Sequence, residues 1–304
     1  MEKTLTESQG IVFDVKHFAV HDGPGIRITI FLKGCPLRCE WCHSPESQNP
    51  VPEILIHQDR CIGCGRCLEV CKLGAISSPG AIDRIKCNLC GECADACCAG
   101  ALELLGKKMT IDQLMEIVEK DRELLISSGG GVTLSGGEPM MQSGFAVELL
   151  RRFKETGYHT ALDTSGYTTW EKLRQALEYT DLVLFDLKHM DSLKHKQHTG
   201  VSNDLIFENL RKTSKNGNCI WIRVPLIPRI NDDEENLREL SDFVKRLEVG
   251  RTYILPYHTL GVAKYAALDR EYELKIRPHS FEKLKEIKEL VTGLFENLVM
   301  IGIE

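Results

Sequence analysis

The sequence predicts an α/β protein built on a parallel sheet and interrupted by a cysteine-rich module. Three observations carry this. Apolar, β-branched runs alternate with helical patterns from residue 28 onward. Polar or cysteine residues stand at the ends of six successive runs, where parallel α/β folds bind ligands. Eleven of the thirteen cysteines fall into three groups before residue 100.

The strand-like runs are Ile28–Leu32, Val132–Ser135, Thr160–Asp163, Leu182–Leu187, Ile220–Ile227 and Tyr253–Tyr257. Helical patterns cover Ile111–Ile126, Phe145–Glu155, Trp170–Tyr179, Asp204–Ser214, Asn236–Leu247 and Phe281–Phe295. Six strands with helical crossovers make a partial parallel (β/α)6 barrel of the TIM type. Cys35, Cys39 and Cys42 follow the first strand, and Gly136-Gly137-Glu138-Pro139 follows the second. Asp163-Thr164 ends the third and Asp186-Leu187-Lys188 the fourth. Arg223 lies in the fifth, and Tyr257-His258 ends the sixth. All six aim at one face, which reads as a single active-site mouth.

The chain has 304 residues and a net charge of -6, with no basic run to suit a nucleic-acid surface. Met1 to Gly10 lacks the apolar core of a signal peptide, and no apolar stretch is long enough to span a bilayer. A cytoplasmic protein is expected. Thirteen thiols in a reducing compartment point to metal rather than disulfides.

Cys35-x3-Cys39-x2-Cys42 offers three thiolates in one short loop. A [4Fe–4S] cube has four corners, so one iron is left open unless a distant cysteine fills it. A zinc site completed by His43 is the alternative that spacing leaves.

Cys61, Cys64, Cys67, Cys71 and Cys87, Cys90, Cys93, Cys97 repeat one pattern, Cys-x2-Cys-x2-Cys-x3-Cys. This is the bacterial ferredoxin spacing, in which the fourth cysteine ligates the other cluster. The ligand sets are then Cys61, Cys64, Cys67, Cys97 and Cys87, Cys90, Cys93, Cys71. Lys72 and Cys98 stand where proline usually follows, and Cys98 competes with Cys97, which keeps the x3 spacing. Cys219 lies in a strand and reads as a core thiol. The expected organisation is barrel over 1–57, a ferredoxin-like insert holding two [4Fe–4S] clusters over 58–104, and barrel again over 105–304.

The string Asp22-Gly23-Pro24-Gly25-Ile26-Arg27, with Cys35-x3-Cys39-Glu40-Trp41-Cys42-His43, resembles the glycyl-radical-enzyme activating enzymes, a radical S-adenosylmethionine (SAM) family. Gly136-Gly137-Glu138-Pro139, Asp186-Leu187-Lys188, Trp221-Ile222-Arg223 and Leu255-Pro256-Tyr257-His258 extend the likeness over most of the chain outside the insert. The insert resembles a subgroup that activates glycerol dehydratase, choline trimethylamine-lyase and hydroxyphenylacetate decarboxylase. The resemblance implies that SAM chelates the open iron and is cleaved reductively. The 5′-deoxyadenosyl radical then takes a hydrogen atom from a backbone glycine of a partner enzyme.

It also implies SAM contacts at Trp41, His43, Gly136, Gly137, Glu138, Asp186, Lys188, Arg223 and His258. A monovalent cation would sit between Asp163 and Asp186, with Thr164 and the Leu184 carbonyl. Implied partners are a glycyl radical enzyme and an electron donor such as flavodoxin or ferredoxin. Two other readings stand: a radical SAM enzyme that modifies another peptide or protein, and an iron–sulfur electron carrier.

Overall fold

A computed structural model of the protein describes residues 9–302. Most of the polar Met1–Gly10 stretch therefore lies outside the described residues. The strands are β1 (Gln9–Ala19), β2 (Arg27–Leu32), β3 (Glu53–Ile56), β4 (Ile76–Ser78), β5 (Ala81–Ile82), β6 (Leu102–Leu105), β7 (Lys107–Thr110), β8 (Gly131–Gly136), β9 (His159–Thr164), β10 (Leu182–Asp186), β11 (Cys219–Leu226), β12 (Arg251–Pro256) and β13 (Leu298–Met300). The helices are α1 (Arg66–Val70), α2 (Glu92–Asp95), α3 (Ile111–Glu119), α4 (Arg122–Ser127), α5 (Ser143–Glu155), α6 (Trp170–Leu177), α7 (Ser192–Thr199), α8 (Asp204–Lys215), α9 (Glu234–Val244), α10 (Val262–Ala267) and α11 (Phe281–Leu294).

Nine strands form one sheet in the order β13-β12-β11-β10-β9-β8-β2-β1-β7. From β2 to β13 every pairing is parallel. β1 runs antiparallel between β2 and β7. The six expected strands are therefore the parallel arc of an α/β partial barrel. Strands covered on both faces need apolar residues at successive positions, as Leu182–Phe185 supply. Val183, Phe185, Ile220 and Ile222 turn toward the helices. Ala161, Leu182, Leu184 and Trp221 pack together in a separate cluster. Helix α5 meets the sheet through Phe145, Ala146, Leu149, Leu150 and Phe153, a helical stripe.

The expected helix over 111–126 is two. A capping box between Thr110 and Gln113 starts α3, which ends at Glu119. Asp121 has left helical geometry and begins α4, and its carboxylate is held 2.6 Å from His17 Nδ1 on β1. That cross-sheet contact is invisible to periodicity. Cys219 opens β11 and is exposed, so the expected core thiol is instead a strand-end thiol. Residues 53–105 build two small antiparallel sheets, β3-β6 and β4-β5, around Ile54, Ile56, Cys67, Ile76, Cys93 and Leu102. No helix among the described residues is long and apolar enough to cross a membrane.

Candidate active site

The loop after β2 is fixed by backbone bonds to two neighbours. Gly34 N donates to Ser47 O and Cys35 N to Gln48 O. Arg38 N donates to Thr199 O and Glu40 N to His198 O, which binds the cysteine loop to the end of α7. His198 Nδ1 also lies 3.0 Å from Glu40 Oε2. Gly136 and Gly137 lock the other side. A Cβ on Gly136 would stand 2.2 Å from Leu32 O, and one on Gly137 would stand 2.4 Å from Gly34 O. Here the space a side chain would need is taken by the chain's own backbone.

Cys35, Cys39 and Cys42 share this loop. Burial pushes the Cys35 thiol up to about 12, and raises Cys39 and Cys42 as well. Three half-buried thiols on one loop do not all ionise readily without a cationic partner to offset the charge. Among the described residues no three His, Cys, Asp or Glu side chains are gathered to grip one ion. Trp41 is buried against Ile227, Ile230 and Tyr257. His43 meets His258 edge-on at 5.6 Å. Loss of solvation at the ring, followed by the charges of His258 and Lys264, lowers His43 to about 4 although the residue is exposed.

Beneath the loop lies a charged layer. Arg223 NH1 is 3.2 Å from Asp163 Oδ2 and 3.7 Å from Asp22 Oδ1, while its Nε is 3.6 Å from Asp186 Oδ1. Lys188 Nζ donates to Asp186 Oδ2 at 2.7 Å, and Ser135 Oγ to Asp163 Oδ2 at 2.6 Å. Burial opposes the Lys188 charge, but Asp186 outweighs it and holds the ammonium, and thiolates at Cys39 and Cys35 add to that hold when they form. Burial likewise opposes Arg223, and its carboxylates outweigh it. Three carboxylates thus face two fixed cations. Burial raises Asp163 to about 6, against the pull of Arg223 and with the push of Asp186. The layer holds one negative charge in excess once Asp163 ionises, which suits a cationic ligand. Arg223 Nε and NH1 and Asp186 Oδ1 are buried without a hydrogen bond, so polar capacity remains for one.

Glu138 is fully buried. It accepts from Thr164 Oγ1, Ser165 Oγ, Ser165 N and Met140 N, which spends its acceptor capacity inside the fold. It ties the end of β8 to that of β9. Thr164 Oγ1 also accepts from Gly166 N. Asp22 and Ser135 were not singled out as site residues by sequence reasoning. The signals available were an acid beside Gly-Pro-Gly and a serine just before the glycine pair. Tyr265 was missed as well. It sits on α10, a helix of six residues with no periodic signal, and donates to Cys42 O at 3.0 Å.

The eight repeat cysteines line two separate hollows of about 350 Å3 each. Cys61, Cys64, Cys67 and Cys97 border the first. Cys71, Cys87, Cys90 and Cys93 border the second. Cys98 is exposed and lines neither. Ala101 N donates to Cys97 Sγ at 3.2 Å and Ala75 N to Cys71 Sγ at 3.3 Å. Burial raises Cys97, but the amides of Leu102, Ala101, Ala99 and Gly100 outweigh it and leave the thiol below its ordinary value.

The family model of the radical SAM superfamily matches residues 29–241, which hold the cysteine loop and all of the charged layer except Asp22. The chain belongs to the radical SAM superfamily. Within it the chain groups with the glycyl-radical-enzyme activating enzymes. It is 44% identical over 275 residues to the isethionate sulfite-lyase activating enzyme of Oleidesulfovibrio alaskensis, covering 87% of this chain and 89% of that one. It is 42% identical over 287 residues to the trans-4-hydroxy-L-proline dehydratase activating enzyme of Clostridioides difficile, covering 92% and 95%. Its fold also resembles Streptococcus suis SuiB bound to precursor peptide SuiA, with a TM-score of 0.59 at 14% identity over 92% of this chain and 49% of that one. Radical SAM membership implies SAM and a [4Fe–4S] cluster, and the half-buried thiol trio has the donor chemistry for the cluster.

Proposed function

We propose that this radical SAM activase generates a glycyl radical on a lyase or dehydratase of the kind its relatives serve, with Cys35, Cys39 and Cys42 holding the SAM-binding cluster. The observation that carries the assignment is the half-buried trio of thiols on one loop above a layer whose carboxylates outnumber its cations. When bound, cluster and cofactor supply a one-electron reduction and a carbon-centred radical. The chain's own residues bind and orient. Lys188 and Arg223 offer donors to the SAM carboxylate, and Asp163 and Asp186 balance its cationic groups. The Gly136 and Gly137 backbone meets the methionine amine, and Glu138 holds that turn in place. Trp41, His43 and His258 border the adenosine and exclude water. A monovalent cation at Asp163, Thr164 and Asp186 would share these carboxylates with Arg223.

The residues from 58 to 104 form a ferredoxin-like insert with two further [4Fe–4S] clusters. The two hollows, each bordered by four thiols, support this reading. The repeat pairs the fourth cysteine of each run with the opposite hollow, and Cys97 rather than Cys98 faces the first. Held by these eight cysteines, the clusters would supply an electron path toward the mouth from a donor such as flavodoxin or ferredoxin. Thirteen free thiols suit the reducing cytoplasm.

The test is anaerobic. The reconstituted protein with SAM and dithionite yields 5′-deoxyadenosine. It is then mixed in turn with isethionate sulfite-lyase, choline trimethylamine-lyase and trans-4-hydroxy-L-proline dehydratase, and a glycyl doublet is sought by electron paramagnetic resonance. Cofactor cleavage with no doublet on any of them would favour the peptide-modifying reading. No cleavage at all would leave only an electron carrier.

A further inference from the structure

Residues Glu271–His279, between α10 and α11, belong to no strand or helix, yet burial alternates with period two from Glu271 to Arg277. Tyr272, Leu274 and Ile276 are half-buried, while Glu271, Glu273, Lys275 and Arg277 are exposed. This is the alternation of a β-strand. Leu274 and Ile276 pack onto the cluster of Trp41, Ile227, Ile230 and Tyr257. The Tyr272 and Tyr257 hydroxyls lie 2.7 Å apart. The segment therefore rims the active-site mouth, with its inner face anchored one residue from Cys42.

Its backbone is unmatched. Among the described residues, no N–H or C=O of 271–279 makes a backbone–backbone hydrogen bond. An extended segment of this kind is a template for another strand. Its outer face opens onto a hollow of about 960 Å3 bordered by Arg229, Lys275, Arg277 and Lys283. Asp232 lies there too, but its carboxylate is 3.2 Å from His279 Nε2 and accepts from Arg229 N. Lys283 pairs with Glu286 at 2.9 Å. Arg229, Lys275 and Arg277 are exposed, with no ion pair to their side chains among the described residues. In a chain of net charge -6 these three cations gather at the end of the segment that borders the hollow, while Glu271 and Glu273 make its other end acidic.

We propose that residues 271–279 are the docking edge for the partner glycyl radical enzyme, taking an extended, carboxylate-bearing segment of it. Main-chain pairing supplies the alignment. Arg229, Lys275 and Arg277 receive carboxylates and set the on-rate. This rests on the proposed function, since the edge flanks the mouth that the partner's glycine must reach. The electron donor has its own approach at the insert, where Cys64 and Cys90 are exposed.

The experiment uses the full reconstituted protein with the panel enzyme that gains the radical. For Lys275→Glu/Arg277→Glu, the partner KM for radical formation should rise about tenfold with kcat nearly unchanged. Lys275→Gln/Arg277→Gln, which removes charge without reversing it, should show a smaller rise. In the unsubstituted protein, KM should climb with salt, and both variants should flatten that climb. Dithionite-driven SAM cleavage without a partner should be unaffected in both. Separately, carbodiimide cross-linking with each panel enzyme should join Lys275 or Lys283 to a partner Asp or Glu.

An unchanged KM and salt slope in both variants overturns the docking edge. So do cross-links confined to Lys72 and Lys86 of the insert, or an effect on the KM for flavodoxin in place of the partner. Absence of any glycyl radical with the unsubstituted protein strikes instead at the proposed function.

Discussion

Lys33 is fully buried one turn before the cysteine loop, and its ammonium is shared. It donates to Glu46 O at 2.6 Å and Glu53 Oε2 at 3.2 Å. Arg270 completes the group, reaching Glu53 Oε1 and donating to Pro45 O at 2.8 Å, while Lys264 pairs with Glu46. Burial pulls the Lys33 pKa down, and Glu53 opposes it. Lys33→Met leaves buried acceptors without their cation and should cost about 3 kcal/mol, read by anaerobic urea unfolding. His195 makes a pH-dependent contribution. Burial drives it to about 4, against the help of the Val201 carbonyl and with the repulsion of Lys188. The folded state keeps the ring neutral, whereas the unfolded chain takes a proton near the ordinary value. Its stabilisation is therefore complete above about pH 6.5 and is lost as pH falls toward 4. His195→Asn should flatten that slope in unfolding measured at pH 7 and pH 5. Identical slopes would assign the acid sensitivity to other groups.

At the scale of elements, the turn of Gly136 and Gly137 is one body with the cysteine loop. Gly137→Ala puts a methyl 2.4 Å from the Gly34 carbonyl, so backbone must move. We expect cofactor cleavage to fall about a hundredfold from displacement of the turn, while the insert's cluster spectrum persists. Loss of both signals would instead mean global misfolding. In the repeat, Cys97 borders a hollow and Cys98 does not. Cys97→Ser should lower iron content by about four per chain, whereas Cys98→Ser should retain the full complement. The reverse result would move the fourth ligand by one residue. The repeat's spacing was legible because thiols at x2 and x3 intervals have few other uses. The split of α3 from α4 was not, because apolar spacing does not register the non-helical backbone at Asp121, whose carboxylate meets His17 over a hundred residues away in the sequence.

For the whole molecule, the parallel arc and its order could be read from alternating runs, since strands covered on both faces must be apolar throughout. The extra strands could not. β1, β7 and β13 lie at or near the sheet edges, where short or interrupted apolar runs suffice. The mouth was legible through its cysteines, Asp163, Asp186, Lys188 and Arg223, because charges ending apolar runs are costly unless used. Asp22, Tyr265 and the buried ion group around Lys33 were hidden, since each gains its meaning from a partner distant in sequence. The sequence by itself determined the chemistry on offer, namely three thiols on one loop, two four-thiol repeats and the residues at the strand ends. It did so because ligand identity and local spacing are properties of neighbouring residues. Only the tertiary structure decided which carboxylate faces which cation, and that an unpaired edge with cations at one end rims the mouth. Those follow from packing of remote segments, and local sequence carries no record of it.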